Sequence, residues 1–316
     1  MEREFVEWLV ANLPPSPLLR IGPGDDAAVL AWPPEGDLVA TTDAITDQVD
    51  FLLEEVDPVR VGRKALGVNL SDLAAMAAEP VAALVSLVLP RRGAGGRSTR
   101  ELAEAIYRGM LPLAEQHACV IAGGDTNTWD GPLAISVTAL GRVGPGGALL
   151  RSGARPGDQV LVTGALGGSL LGRHLDVEPR VREALLLRER FELTAGMDVS
   201  DGLALDASRL AAASGCGLVI DPAAVPIAPA AHELASRSGR TPLDHALGDG
   251  EDFELLATAS AAEAERLLRE QPLGIPVTRV GWCIAEPGLW QPAGGDALRP
   301  LAPTGYLHAD KPPSAT

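Results

Sequence analysis

AGMDVSDGLALDASRLAAASGCGLVID, residues 195–221, reads as a strand, a tight turn, a helix and a second strand. The apolar run stops at Asp198, in aspartates set among Ser200 and Gly202, and the helical stretch feeds GLVID. Working outward, the same alternation continues on both sides. QVLVTG before it is a strand leading into the Gly-rich turn TGALGGS (Thr163 to Ser169), which reads as opening a helix. After it come a helix beginning at Pro229, the strand DFELLATA, the helix SAAEAERLLRE and the strand VTRVGWCI. The last segment, with Trp290 and Tyr306, reads as irregular.

The first half is also mixed α/β. Phe5, Trp8 and Leu9 follow helical spacing up to Pro14 and Pro15. Two short strands, AAVLA (Ala27 to Ala31) and DLVATTD (Asp37 to Asp43), flank the turn PPEGD. Asp57 as N-cap and Pro58 at the first position open a helix that runs toward Met76. VAALVSLVL (Val81 to Leu89) is a buried strand. Ser98 and Glu101 form a capping box for a helix with Leu102, Ile106, Met110 and Leu113 on one face. CVIAGG and LAISVTALG add strands, and the Gly- and Pro-rich GPGGALLRSGARPGD (Gly144 to Asp158) reads as a crossing between domains. The expected division is 1–145 and 146–316, in line with the two domains that 316 residues suggest.

Composition excludes several functions. With 26 Lys and Arg against 42 Asp and Glu, the net charge of −16 argues against non-specific binding to nucleic acid. An anionic ligand would need metal bridges. Lys64 and Lys311 are the two lysines, and no GxxxxGK[ST] occurs, so a P-loop is absent. Cys119, Cys216 and Cys283 stand far apart among apolar residues, which favours reduced core thiols over zinc or disulfides. His117, His174, His232, His245 and His308 show no metal-ligand spacing, and His117 closes a helix, where partial positive charge suits the dipole. The acidic N-terminus and the lack of a long apolar run point to a cytoplasmic protein with no membrane partner.

Five segments place aspartates in Gly, Ser or Thr where apolar runs stop: GPGDD (Gly22 to Asp26), TTD (Thr41 to Asp43), NLSD (Asn69 to Asp72), AGGDT (Ala122 to Thr126) and MDVSDG (Met197 to Gly202). Turn chemistry accounts for any one of them. Five such placements at element ends suggest convergence on hard, oxygen-loving cations such as Mg2+, since gathered carboxylates repel without them. Arg151, in LLRSGARPGD, suits bidentate phosphate contact or a solvated loop equally. GDGEDFELL (Gly248 to Leu256) sets Glu251 and Asp252 just before a strand. TGALGGS is a weak dinucleotide signal, and tight packing explains it better.

GPGDDAAVL, TTD, NLSDLAAMAAEP, AGGDT, LLRSGARPGD, MDVSDGLALD and GDGEDFELL, in this order, resemble the thiamine-monophosphate kinase family. Single motifs are shared with a wider superfamily that includes aminoimidazole ribonucleotide synthetase and selenophosphate synthetase. The resemblance implies a two-domain α/β (α+β) fold of the aminoimidazole ribonucleotide synthetase kind. In it the N-terminal domain binds ATP and Mg2+ and pairs in a homodimer, and the C-terminal domain completes the active site. It implies direct phosphoryl transfer from ATP to thiamine monophosphate with several Mg2+ ions. Asp26, Thr41, Thr42, Asp43, Asp72, Asp125, Asp198 and Asp201 would hold metal. Gly124, Asp125, Arg151, Ser200 and Tyr107 would meet ATP, and Glu251 and Tyr306 the thiamine moiety. The acceptor, a phosphate oxygen, is already ionised, so a general base is dispensable. One departure stands out: the family usually has His immediately before Phe after the TTD segment, at a substrate-contacting position, and this chain has Asp50 before Phe51. A superfamily member with another acceptor, or a non-catalytic ATP-binding relative, are the alternatives.

Overall fold

A computed structural model describes residues 8–21, 29–30, 36–144 and 146–307. GPGDD with Asp26, and Phe5 of the first helix, lie outside the described residues. Residues 8–12 are helical and the helix has ended before Pro14. The chain forms two compact units, Met1–Ala148 with Leu175–Leu185, and Leu149–His174 with Leu186–Thr316. No helix among the described residues is long and apolar enough to cross a membrane.

In the first unit β1 (Leu19–Ile21) and β2 (Val29–Leu30) form a small antiparallel pair. The main sheet has β3 (Asp37–Thr46), β4 (Glu79–Pro90), β5 (Val120–Trp129) and β6 (Ala134–Val143) in the order β3-β6-β4-β5. Only the β4–β5 pair is parallel, and the helix between them supplies the crossover such a pair needs. Helices α1 (Pro58–Ala75) and α2 (Thr99–Gln116) pack against the sheet. The sequence encodes both starts: Asp57 accepts the Val59 N–H at 3.1 Å, and Ser98 and Glu101 make the reciprocal capping box.

Burial alternates cleanly along β6: Ile135, Val137, Ala139, Gly141 and Val143 are buried, and the residues between them are half-exposed. One face is therefore covered by helices, and the other is open among the described residues. Leu66, Leu70 and Leu73 of α1 and Ile106, Met110 and Leu113 of α2 are fully buried. Glycine sets how closely these helices approach. A Cβ on Gly109 would lie 1.7 Å from the Val59 carbonyl oxygen, and one on Gly62 1.9 Å from that of Ile106. The segment Leu175–Leu185 belongs to this unit because Arg60 grips Asp176 at 3.0 and 2.7 Å, and Val177 packs against Gly67 of α1.

The second unit holds a seven-stranded sheet ordered β13-β12-β9-β11-β7-β10-β8. Its strands are β7 (Gln159–Thr163), β8 (Leu193–Asp198), β9 (Gly217–Ile220), β10 (Leu255–Ala259), β11 (Val277–Ile284), β12 (Gly288–Pro292) and β13 (Leu298–Pro300). Its helices are α4 (Leu203–Ser214), α5 (Pro229–Ser238), α6 (Pro242–Gly248) and α7 (Ala261–Glu270), and α3 (Val181–Arg190) precedes β8. Leu203, Leu210, Val160, Met197, Leu218, Leu256 and Val280 centre the core.

Three expectations need correction. TGALGGS opens no α-helix: two 3-10 turns, Ser169–Leu171 and Arg173–Leu175, follow it. The irregular last segment contains β12 and β13, with Trp290 in β12. His117 does cap α2, but burial lowers its pKa, so it favours the neutral form.

Replacing Gly109 by Ala sets a helix-propensity gain of about 1 kcal/mol against a clash with a backbone oxygen that cannot rotate away. The clash should prevail, lowering the stability of the first unit by about 1–3 kcal/mol in urea unfolding. An unchanged or raised midpoint would show that α1 and α2 are not in backbone contact.

Candidate functional site

Of the aspartates expected to hold metal in the first unit, the three among the described residues lie inside elements and not at their ends. Thr41, Thr42 and Asp43 occupy the middle of β3, Asp72 lies within α1, and Asp125 lies within β5. Strand alternation then separates them. Thr41 and Asp43 pair with Ala139 and Val137 on the helix-covered face, and Thr42 pairs with Thr138 on the open one. Asn69 and Asp72, three apart on α1, share the helix face toward β3. The Thr41 hydroxyl donates to Asp72 at 2.5 Å, and the Asp43 N–H donates to Asn69 Oδ1 at 3.1 Å.

This packing crowds carboxylates. The Asp43 carboxyl is pushed up to about 6, first by burial, then by the charge and hydrogen bond of Asp72, then by the charge of Asp50. Asp50 itself is engaged in its own turn. Its carboxylate accepts the Thr46 N–H at 2.7 Å, and its carbonyl accepts the buried Lys64 ammonium at 2.8 Å. The acidic residue that the family pattern does not predict thus closes the corner after β3.

Asp125 is exposed and pairs with Ser86 on the open face. β3 and β5 are opposite edges of the sheet, roughly 14 Å apart at ordinary strand spacing. Gly124 is required beside it, since a Cβ there would lie 1.7 Å from the Val85 carbonyl oxygen. Tyr107 is buried on α2, and burial raises its pKa. Among the described residues no three His, Cys, Asp or Glu side chains are gathered to hold a metal ion by themselves. Asp43, Asp72 and the Thr41 hydroxyl still offer hard oxygen donors. They suit Mg2+, which is held by one or two carboxylates and completes its shell with water or phosphate oxygens.

In the second unit three distant segments are laced by backbone hydrogen bonds. Glu251 N–H donates to the Ser200 carbonyl at 2.6 Å, Phe253 N–H to that of Val199 at 2.9 Å, and Tyr306 N–H to that of Asp201 at 2.9 Å. Ser200, Asp201, Glu251 and Tyr306 therefore share one loop cluster beside Asp198, which is buried at the end of β8. Glu251 and Phe253 take left-handed backbone conformations, φ 53° and 52°, rare for residues with side chains. Asp201 is ion-paired with Arg209. Asp206 accepts the Asp201 and Gly202 N–H groups at 2.9 and 3.1 Å, satisfying the start of α4, and is pushed up to about 6, chiefly by burial.

Sequence reading missed the partner of the Gly-rich loop. Asp252 accepts the Gly167 N–H with both oxygens, at 2.9 and 3.0 Å, and meets Arg173 at 2.9 Å. Burial, the largest effect, pushes it up to about 7. Glu254 accepts from Thr163 at 2.6 Å, and Ser169 donates to the Gly250 carbonyl at 2.6 Å. TGALGGS and GDGEDFELL are thus two halves of one assembly. Its glycines are steric: a Cβ on Gly167 would lie 2.6 Å from the Ala246 nitrogen. Arg151 is exposed, and its carbonyl accepts from Ser214 at 3.0 Å.

Comparison with known proteins identifies the family. The family described as AIR synthase related protein matches with its N-terminal domain over residues 24–143 and with its C-terminal domain over residues 150–289. A thiamine-monophosphate kinase of Rhodopirellula baltica is 44% identical over 317 residues, covering 98% of both chains. The crystal structure of the thiamine-monophosphate kinase from Stenotrophomonas maltophilia K279a is 34% identical, with a TM-score of 0.78 over 93% of this chain and 96% of that one. AaThiL complexed with AMPPCP and TMP is 28% identical, with a TM-score of 0.75 over 98% and 96%. Matched along both domains, the chain belongs to the AIR synthase related family and, within it, to the thiamine-monophosphate kinases.

Proposed function

We propose that this protein transfers the γ-phosphoryl group of ATP to thiamine monophosphate, giving thiamine diphosphate. The observation that carries this reading is the 44% identity along 98% of the chain to a thiamine-monophosphate kinase. The relative complexed with AMPPCP and TMP supports the choice of donor and acceptor. In this reading residues 1–145 bind ATP and Mg2+ and residues 146–316 form the second catalytic domain.

Thr41, Asp43 and Asp72 would hold Mg2+ in the first unit, with Asp26, Thr42 and Asp125 as further ligands and Asp198 as a ligand in the second. Bound Mg2+ would neutralise phosphate charge as two polyanions approach. Gly124 and Asp125 in the first unit, and Arg151 and Ser200 in the second, would bind ATP. Arg151 is suited to this because its exposed guanidinium can take a phosphate in bidentate fashion. Glu251 and Tyr306 would meet the thiamine moiety. Asp201, paired with Arg209, reads as a positioning residue. Asp50, committed to Thr46, reads as a turn clamp, and buried Tyr107 as core. The acceptor oxygen is ionised at neutral pH, so the chain needs alignment more than a base.

We propose further that the open face of the first sheet pairs two copies of this chain. Leu38, Ala40, Thr42 and Ala44 of β3, Thr138 and Leu140 of β6, and Leu84 of β4 lie on it in register. Leu38 is 56% exposed and Leu84 40%. A flat row of small, apolar and hydroxyl side chains suits an isologous partner.

A coupled assay with ATP, thiamine monophosphate and millimolar Mg2+ should yield thiamine diphosphate, and no product above background would refute the activity. Asp43→Asn and Asp72→Asn should each lower turnover by about 100-fold or more with unchanged circular dichroism.

Linkage gives a second test. A folded carboxyl raised from 3.8 to about 6 binds protons more tightly than the unfolded one, so stability falls as pH rises through that window and the loss is complete above it. Asp43→Asn should therefore stabilise the Mg2+-free protein at pH 7.5 but not at pH 3.5. Added Mg2+ should raise the melting temperature of the wild type at pH 7.5 and do so far less in the variant. An equal Mg2+ effect in both proteins would place the cation elsewhere.

For the dimer, Leu84→Glu should give a monomer by light scattering. A variant of unchanged mass would exclude this face.

A further inference from the structure

Outside the residues assigned above, the second unit carries a three-residue chain of hydrogen bonds. Ser238 ends α5, His245 lies in α6, and Asp249 caps α6. Ser238 Oγ is 2.7 Å from His245 Nε2, and His245 Nδ1 is 2.9 and 2.8 Å from the two Asp249 oxygens. The His245 and Asp249 side chains are each 2% exposed, whereas Ser238 is exposed. Burial therefore decreases outward from the carboxylate to the hydroxyl.

The surrounding bonds set the proton positions. The Asp249 carboxylate accepts, which assigns a hydrogen to Nδ1 and leaves Nε2 to accept from Ser238. Ser238 Oγ already accepts the Arg240 N–H at 3.2 Å, which turns its own hydrogen toward Nε2. Asp249 is fixed from two further sides, by Arg240 Nη1 at 2.8 Å and the Gly168 N–H at 3.3 Å. A serine hydroxyl hydrogen-bonded to an imidazole, itself oriented by a buried carboxylate, is the arrangement that activates a serine as a nucleophile.

We propose that Ser238 is a base-activated nucleophile that accepts the acyl or phosphonyl group of electrophilic esters, with His245 as general base and Asp249 as a positioning residue. With an activated ester, the Oγ–acyl carbon bond forms and the carbon–oxygen bond to the leaving alcohol breaks. The Ser238 proton passes to Nε2 and then to the departing alkoxide. With a fluorophosphonate, the Oγ–phosphorus bond forms, the phosphorus–fluorine bond breaks, and the proton leaves through Nε2 with fluoride. Neither route involves the kinase residues.

The same helix holds an internal control. Ser236 is also exposed, but its hydroxyl donates to the Glu233 carbonyl at 2.6 Å and has no imidazole partner among the described residues. The full-length protein would be treated with a fluorophosphonate probe and digested for peptide mass spectrometry. The expected result is a single adduct on Ser238, with Ser236 unmodified. Ser238→Ala should remove the adduct, and His245→Gln should slow its formation by at least about 100-fold. No adduct, or equal labelling of Ser236 and Ser238 in the wild type, would overturn the proposal. That comparison needs no variant to fold. Unchanged labelling in a folded His245→Gln protein would overturn it as well.

Discussion

The contact between α1 and β3 is made through hydrogen bonds that also bring two carboxylates, Asp43 and Asp72, against each other. Asn69 and Asp72 reach from the helix to Thr41 and Asp43 on the strand, and burial drives the Asp43 carboxyl up to about 6. A structure that only needed to join a helix to a sheet could do so with apolar groups at no electrostatic cost. The rest of the first unit is arranged so that this junction holds. Gly62 and Gly109 let α2 press α1 from behind, Leu66, Leu70 and Leu73 bury the helix, and Asp50 and Lys64 close the corner where β3 ends. A cation held there, as proposed above, would relieve the crowding of the two carboxylates.

Much of this frame is legible in the sequence, because the signals are local. The Asp57 and Ser98 caps, the apolar face of α2 and the strand in LAISVTALG each concern residues within a few positions of one another, and each appears as read. The positions of the acidic segments within their elements are not legible in this way. TTD and AGGDT look like strand ends because Thr, Gly and Asp are turn residues. In the fold β3 continues to Thr46 and β5 to Trp129, since both are edge strands whose polar side chains meet solvent or a facing polar helix residue. The opposite placement of Asp43 and Asp125 follows from strand order, which no local pattern encodes.

The second unit shows the same limit in its loops. TGALGGS and GDGEDFELL are bonded through residues 81 to 91 positions apart, and each alone suggests a ligand loop. Their mutual bonds account for most of their unusual residues: Asp252 with Gly167, Glu254 with Thr163, and the Gly250 carbonyl with Ser169. Glu251 stands half-buried in a left-handed conformation beside Ser200 and Tyr306.

The net charge of −16 also takes on a different meaning from this arrangement. A strongly acidic protein would be expected to repel phosphorylated ligands. In the second unit, however, the acids near the loops are spent internally: Asp201 and Asp206 on Arg209, Asp252 on Arg173, and Asp249 on Arg240. Each pairing places the negative group deeper than the positive one; the Asp206 and Asp252 side chains are fully buried while their arginines are partly exposed. In each of these pairs the guanidinium is the part that water reaches more readily. Formal charge counts both partners equally, but a ligand in water meets the shallower one first. An acidic chain with two lysines can in this way present arginine to a phosphate without a basic composition.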